Sequence, residues 1–351
     1  MMKIRLAPSA GGFDAVLDGL QADSPRCFGT SQITLRPGRV FVSPFSRVLE
    51  LHVSGTEQPL TVFVKILKPR SDTPEELQAT RRNVTREFET LTKVQAALRG
   101  KPQLAAPRPI ACYPELHALV TQRLDGEPLA RLLSKLRGAP SAGAIDRGVG
   151  VMRNVALWLN TFQAMEPPGA PVSLERMRSY LDARLRPLAE LRVCSWTLRD
   201  RLLAYFDCRA REVPASELAS RPVHADFTPE NVIVGAGSVG VLDFTMAKQG
   251  ARYLDVAHLY MHVEMLKARP WFRPAVIDLS TAALLSAYDN SLQTDRALFD
   301  LLLIQNVVCF VLQTAQTTAP GSIPARLLAE HLRRRQMKWL AARAMRVSQE
   351  G

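Results

Sequence analysis

Short apolar or alternating runs bounded by turn residues predict strands in the first third of the chain. Val40-Phe41-Val42 and Val48-Leu49-Glu50-Leu51-His52-Val53 flank a turn at Ser43-Pro44-Phe45-Ser46-Arg47. A third run, Leu60-Thr61-Val62-Phe63-Val64-Lys65-Ile66-Leu67, follows the break at Ser54-Gly55-Thr56. From about Thr73 to Leu98 the period lengthens. Val84, Phe88, Leu91 and Val94 recur at helical spacing, and Thr73-Pro74-Glu75-Glu76 supplies an N-cap with proline in the first turn. Ile110-Ala111-Cys112-Tyr113 and Leu116 to Thr121 read as two more strands. Residues 1–30 carry Gly, Ala and Ser without periodicity and read as a loosely organised lead-in.

After Asp125-Gly126 the pattern is helical almost throughout, over roughly 128–137, 146–164, 174–191, 196–209, 254–267, 273–289, 296–316 and 324–346. One strand-rich interruption lies between His224 and Phe244. The expected architecture is α+β: a lead-in over 1–30, a small antiparallel β-rich lobe over 31–124, and a larger, mainly helical lobe over 125–351. Composition fits a globular enzyme, with 47% hydrophobic and 22% charged residues. The formal charge of +12 favours anionic partners, or simply solvates helix faces with arginine. Cys27, Cys112, Cys194, Cys208 and Cys309 form no CxxC pair and no zinc-ligand spacing, so they read as thiols in a reducing compartment. Lys3 and Arg5 are followed by no apolar stretch of the secretory type, and no apolar run approaches membrane-spanning length. A cytoplasmic protein is the expectation.

Candidate chemistry concentrates in His224-Ala225-Asp226-Phe227-Thr228-Pro229-Glu230-Asn231, followed by the apolar Val232-Ile233-Val234. Twelve residues after Asn231 comes Asp243, in Val241-Leu242-Asp243-Phe244. Phosphoryl transfer needs a carboxylate near the attacking hydroxyl and oxygen ligands for magnesium. An Asp followed five residues later by Asn can offer both from one tight loop, and a second Asp at the end of the adjoining strand can complete the metal site. Any one of these residues alone reads as a turn cap or a strand end; it is their joint spacing that points to phosphoryl transfer.

This segment resembles the catalytic loop and metal-binding strand of the aminoglycoside phosphotransferase-like kinases, which share the bilobal protein-kinase fold and phosphorylate small molecules and sugars. The resemblance spans about 40–265 and is tight only over 222–257. It implies ATP as donor, with GTP the alternative, and magnesium as cofactor. Asp226 would be the catalytic base or hydroxyl-orienting group, Asn231 and Asp243 the metal ligands, and His224 a brace for the loop. Asp255 would hold the loop or cap a helix. Lys65 resembles the strand lysine that contacts phosphates, partnered by Glu87, with Glu89 the alternative. Backbone groups of about Gln122 to Leu124 would meet the adenine, and Ser46 and Arg47 stand where a phosphate-covering loop would lie.

The sequence also departs from that family. The 43–47 turn has no glycine, and its proline offers no amide donor. Ala225, Thr228 and Glu230 replace the commoner Gly, His and Gly, and Thr245 stands where protein kinases have Gly. With neither an HRD nor an APE signature, the small-molecule branch is indicated. Arginines crowd 174–212, which argues against a cationic acceptor and for a neutral or anionic sugar, phosphosugar or glycan, including lipid-linked ones. The last helix carries seven Lys or Arg over Arg326–Arg346 against one Glu; it either packs its apolar side onto the large lobe or meets an anionic membrane. The second reading of the whole chain is a nucleotide-binding pseudokinase that regulates or scaffolds a partner, motivated by the glycine-free turn. Nucleic-acid binding ranks last, for want of a recognised motif, and the oligomeric state is left open.

Overall fold

A computed structural model describes residues 3–5, 12–316 and 323–345. The chain divides into two compact units, Met1–Glu127 with Ile233–Ala247, and Pro128–Val232 with Lys248–Gly351. In chain order the first unit contains β1 (Lys3–Arg5), α1 (Asp14–Ala22), α2 (Ser24–Phe28), β2 (Thr34–Val42), β3 (Ser46–Ser54), β4 (Leu60–Leu67), α3 (Pro74–Ala97), β5 (Leu104–Ala105), β6 (Pro109–Tyr113), β7 (Ala118–Gln122) and, at its edge, β8 (Glu127–Pro128). The second unit continues with α4 (Leu129–Ser134), α5 (Ala142–Gln163), α6 (Leu174–Glu190), α7 (Trp196–Arg211) and β9 (Arg221–Val223). The hairpin β10 (Val232–Val234) and β11 (Val239–Val241) returns to the first unit. Last come β12 (Lys248–Gly250), α8 (Leu254–Glu264), α9 (Pro274–Tyr288), α10 (Ala297–Gln316) and α11 (Ile323–Ala344) in the second.

The first unit is built on an antiparallel sheet of order β1-β2-β3-β4-β7-β6. Period-two patterning gives it two distinct faces. Leu49, Leu51, Val53, Val62, Val64 and Ile66 point into a core closed by Phe13, Val16 and Leu20. Residues 14–28, expected as a loosely organised lead-in, are therefore two helices of this core. Their stretch is too short to display a convincing period, yet Val16 and Leu20 fall four apart on one face of α1. Strand β2 also starts earlier than its sequence suggested. Pro37-Gly38 reads as a turn, but the strand carries it across a register shift between Pro37 and Val40. Helix α3 starts as expected, with Pro74 in the first turn and the Thr73 hydroxyl accepting from the Glu76 amide. Its buried stripe is Thr80, Val84, Glu87, Leu91 and Val94, so the sequence-expected Phe88 lies at the edge and a carboxylate takes its place.

Among its described residues the second unit is mainly helical, with the antiparallel β9–β12 pair. Helix α10 is long and apolar enough to cross a membrane by length and composition, contrary to the sequence expectation that no stretch is. It packs within the unit, however, and its buried Asp300 takes hydrogen bonds from the Tyr205 hydroxyl (2.6 Å) and the Arg343 guanidinium (2.7 Å), tying α7, α10 and α11 together. Helix α11 turns Leu332, Leu340 and Ala344 into the unit; Arg346 lies outside the described residues. Many arginines of 174–212 are matched: Arg178 pairs with Asp207, and Arg186 and Arg199 with Asp182.

If α1 belongs to the core, Leu20→Ala lowers unfolding stability by about 2–5 kcal/mol. Urea denaturation measures this; a change within about 0.5 kcal/mol would return residues 14–28 to the status of a lead-in.

Candidate active site

In the first unit the chemistry gathers on Lys65. The lysine sits on β4 opposite Val48, on the sheet face away from the α1 core, because Val64 and Ile66 on either side of it point into that core. Its ammonium donates to Glu87 (3.0 Å to Oε1, 3.2 Å to Oε2), to Asp243 Oδ1 (2.7 Å) and to the Thr245 hydroxyl (2.7 Å). Three N–H donors thus find three partners. The Lys65 and Glu87 side chains are 16% and 4% exposed, Asp243 45%. Burial alone would lower the lysine's pKa, but Glu87 and Asp243 outweigh it and the net shift is upward, so the ammonium is held charged. Glu89, the alternative partner, is exposed.

Thr245 is the member the sequence did not reveal. Its hydroxyl lies 2.8 Å from Glu87 Oε2 and 2.7 Å from Asp243 Oδ1, and its single proton serves one of them at a time. Its departure from glycine was visible, but only folding shows its partners. Asp243 itself has φ 63°, ψ 72°, a left-handed conformation that turns the strand end into the following 3-10 turn.

The expected nucleotide contacts are distributed unevenly. Gln122 and Leu124 line a cavity of about 380 Å³ together with Arg108, Asp125, Ile233 and Gly240. Nearby, Gly126 adopts φ 141°, and a Cβ there would stand 2.4 Å from the Val234 carbonyl oxygen, so only glycine fits. At the 43–47 turn, Ser43 Oγ accepts from the amides of Phe45 (3.2 Å) and Ser46 (2.9 Å) and lies 3.0 Å from Ser46 Oγ. The turn's own serine therefore occupies the donors that a phosphate-covering loop would offer. Arg47 is not brought to Lys65. Its cross-strand partner is Ile66, and its guanidinium lies 5.4 Å over the Phe13 ring on the opposite face, so the expectation of a phosphate contact there is corrected by strand alternation.

In the second unit the loop after β9 presents Asp226 and Asn231. Asn231 Nδ2 donates to Asp226 Oδ2 and to its carbonyl oxygen, both at 2.9 Å. The loop hangs on Asp255, whose carboxylate accepts the amides of His224 (2.7 Å) and Ala225 (2.9 Å). Asp255 holds the loop and makes no side-chain cap of α8. Ala225 has φ 63°, a left-handed conformation that suits glycine and costs another residue about 1–2 kcal/mol. Below the loop, His224 and Phe227 are buried edge to face (5.8 Å), and Phe227 meets Trp158 (5.9 Å).

A model of the phosphotransferase enzyme family matches residues 51–291. Comparison with curated protein sequences finds no match. Among solved structures, choline kinase from Cryptosporidium parvum is similar at 12% identity and TM-score 0.52, over 96% of this chain and 97% of that one. An ADP-bound aminoglycoside phosphotransferase gives 12% and 0.53, over 93% and 97%. Ethanolamine kinase from Plasmodium vivax gives 14% and 0.51, over 93% and 85%. At such identities the likeness speaks to fold, which is protein-kinase-like, with an antiparallel β N-terminal region and a helical C-terminal region.

Burial raises the Asp255 pKa from its ordinary 3.8 to about 6, against the opposing pull of the two amide hydrogen bonds. The folded state therefore holds this proton more tightly than the unfolded chain does. The resulting stability is fully present below the unfolded pKa and is lost as pH rises through about 6. The loss amounts to about 3 kcal/mol. Urea unfolding across this range measures it, and Asp255→Asn is expected to flatten that part of the curve; an unchanged slope would contradict the assignment.

Proposed function

The chain belongs to the phosphotransferase enzyme family, and from that membership we propose that it moves the γ-phosphoryl group of ATP to a hydroxyl of a small molecule, sugar or glycan. The observation that carries the reading is the Lys65 ammonium, held charged by Glu87, Asp243 and Thr245. Such a lysine can exchange its Asp243 or Thr245 partner for a phosphate oxygen while Glu87 keeps it aimed. Asp226, fixed by the Asn231 amide, orients the acceptor hydroxyl and takes its proton as the new oxygen–phosphorus bond forms. The bond between the γ-phosphorus and the β–γ bridging oxygen breaks, and ADP leaves with that oxygen.

Asn231 and Asp243 are the candidate magnesium ligands, and their donor atoms fit the ion. Asn231 spends its amide nitrogen on Asp226, so its remaining polar atom is a carbonyl-type oxygen, and Asp243 offers a carboxylate. Magnesium, when bound, would neutralise charge on the β- and γ-phosphates. Gln122 to Leu124 are the proposed adenine-contacting segment, supported by the cavity they line. A nucleotide-binding protein without turnover is the second reading, favoured by the self-satisfied Ser43–Ser46 turn.

The test is a mass-gain screen with ATP or GTP and magnesium over a library of hydroxyl compounds. The wild type is expected to add one phosphoryl group to an acceptor, and Asp226→Asn to lower turnover by about 10²-fold or more. Nucleotide binding with no turnover on any acceptor supports the second reading, and equal turnover by Asp226→Asn removes Asp226 from the chemistry.

A further inference from the structure

Helix α8 carries His258 and His262 four residues apart, the spacing that puts two imidazoles on one helix face. Asp255 shares that face, three residues before the first and seven before the second, and its carboxylate holds the His224 and Ala225 amides. The two histidines therefore follow, by about 4.5 and 10.5 Å along the axis, the residue from which the Asp226 loop hangs. Their Nε2 atoms stand 3.3 Å apart, closer than the ring centroids at 5.0 Å, and the ring planes are tilted by 49°. The rings thus converge on their Nε2 edges and do not stack. Both residues keep part of their surface exposed, unlike the buried His224.

An Nε2 pair at this separation is either a hydrogen bond or a chelate, and its length separates the two. As a hydrogen bond, one ring donates its N–H to the other, and 3.3 Å is longer than the usual range of about 2.7–3.2 Å. As a chelate, two lone pairs meet on one ion. Metal–nitrogen bonds of about 2.0–2.1 Å at a tetrahedral angle set two nitrogens about 3.3–3.4 Å apart. The observed separation is that one. Burial lowers the pKa of both imidazoles, His258 to about 3, so each is in the neutral form that ligates. The proton on the donating Nε2 passes to its own ring's Nδ1 when an ion takes its place. Two histidines four apart on a helix are also the ligand spacing of zinc-binding helices, although residue 259 is Leu and supplies no adjoining base.

We infer that His258 and His262 chelate a divalent transition-metal ion of the zinc class through their Nε2 atoms, with the remaining coordination positions open. Among the described residues no group of three or more His, Cys, Asp or Glu is placed to hold a metal, so water or an oxygen donor such as a hydroxyl or carboxylate fills those positions. Imidazole suits zinc and its neighbours, whereas magnesium prefers oxygen. The site is therefore separate from the proposed magnesium ligands Asn231 and Asp243, and it does not rest on the phosphotransferase reading.

Calorimetric titration of zinc into the full chain, in excess magnesium, tests the site. One ion per chain is expected to bind. His258→Gln and His262→Gln should each weaken it at least about tenfold, since losing even an outer partner of a ligand costs about 10–100-fold. His331→Gln, whose ring is engaged with the Ala268 carbonyl on another helix, should leave the affinity unchanged. Urea unfolding checks that the variants fold, and zinc should raise the stability of the wild type more than that of either α8 variant. In the wild type labelled with 15N-histidine, two of the six imidazoles should show ligation through Nε2, which decides the matter even where a variant does not fold. No zinc binding, displacement of zinc by magnesium, undiminished affinity in both α8 variants, or ligation by other imidazoles overturns the site.

Discussion

A buried ammonium must be paired or must lose its proton, and Lys65 is paired three times over. This constraint organises the first unit. It fixes which face of β4 is polar, and it sets the register of α3, whose buried stripe admits Glu87 in place of an apolar side chain. It also recruits residues 243 and 245, so the segment 233–247 folds with the N-terminal sheet although it is distant in sequence. Arg86 adds a further tie, donating from α3 to the Thr245 carbonyl (3.2 Å). Removing any one carboxylate would leave a charge that burial penalises.

The second unit solves a similar problem with a carboxylate. Asp255 is fully buried and carries no cationic partner within the loop; two backbone amides satisfy it instead. The arrangement fixes the backbone just ahead of Asp226, and the strained Ala225 is tolerated because these bonds over-determine it. The aromatic floor of Trp158, Phe162 and Phe227 then makes the loop rigid from below. Side chains whose chemistry needs accurate placement are thus carried on backbone that has little freedom to move.

Much of this was legible in the sequence because it depends on local rules. Helix spans follow from spacing of apolar residues, and α9, α10 and α11 begin and end within a residue or two of where the pattern places them. The Asp226–Asn231–Asp243 spacing points to phosphoryl transfer for the same reason: the residues sit close along the chain. What escaped depends on contacts made across it. Helices α1 and α2 are recognisable only through the core they close, and β2 hides behind a Pro-Gly pair that signals a turn. Arg47 sits one residue from the expected face, and a strand reverses direction with every residue. Thr245 is brought to its neighbours by the fold alone, with no periodicity to announce it.

The most direct test of the account is equilibrium binding of ATP with magnesium to the wild type and to Lys65→Ala. Loss of a charge-assisted contact to phosphate predicts binding by the wild type and about 10- to 100-fold weaker binding by the variant. Equal affinity in the two proteins, or no binding by a folded wild type, would contradict it.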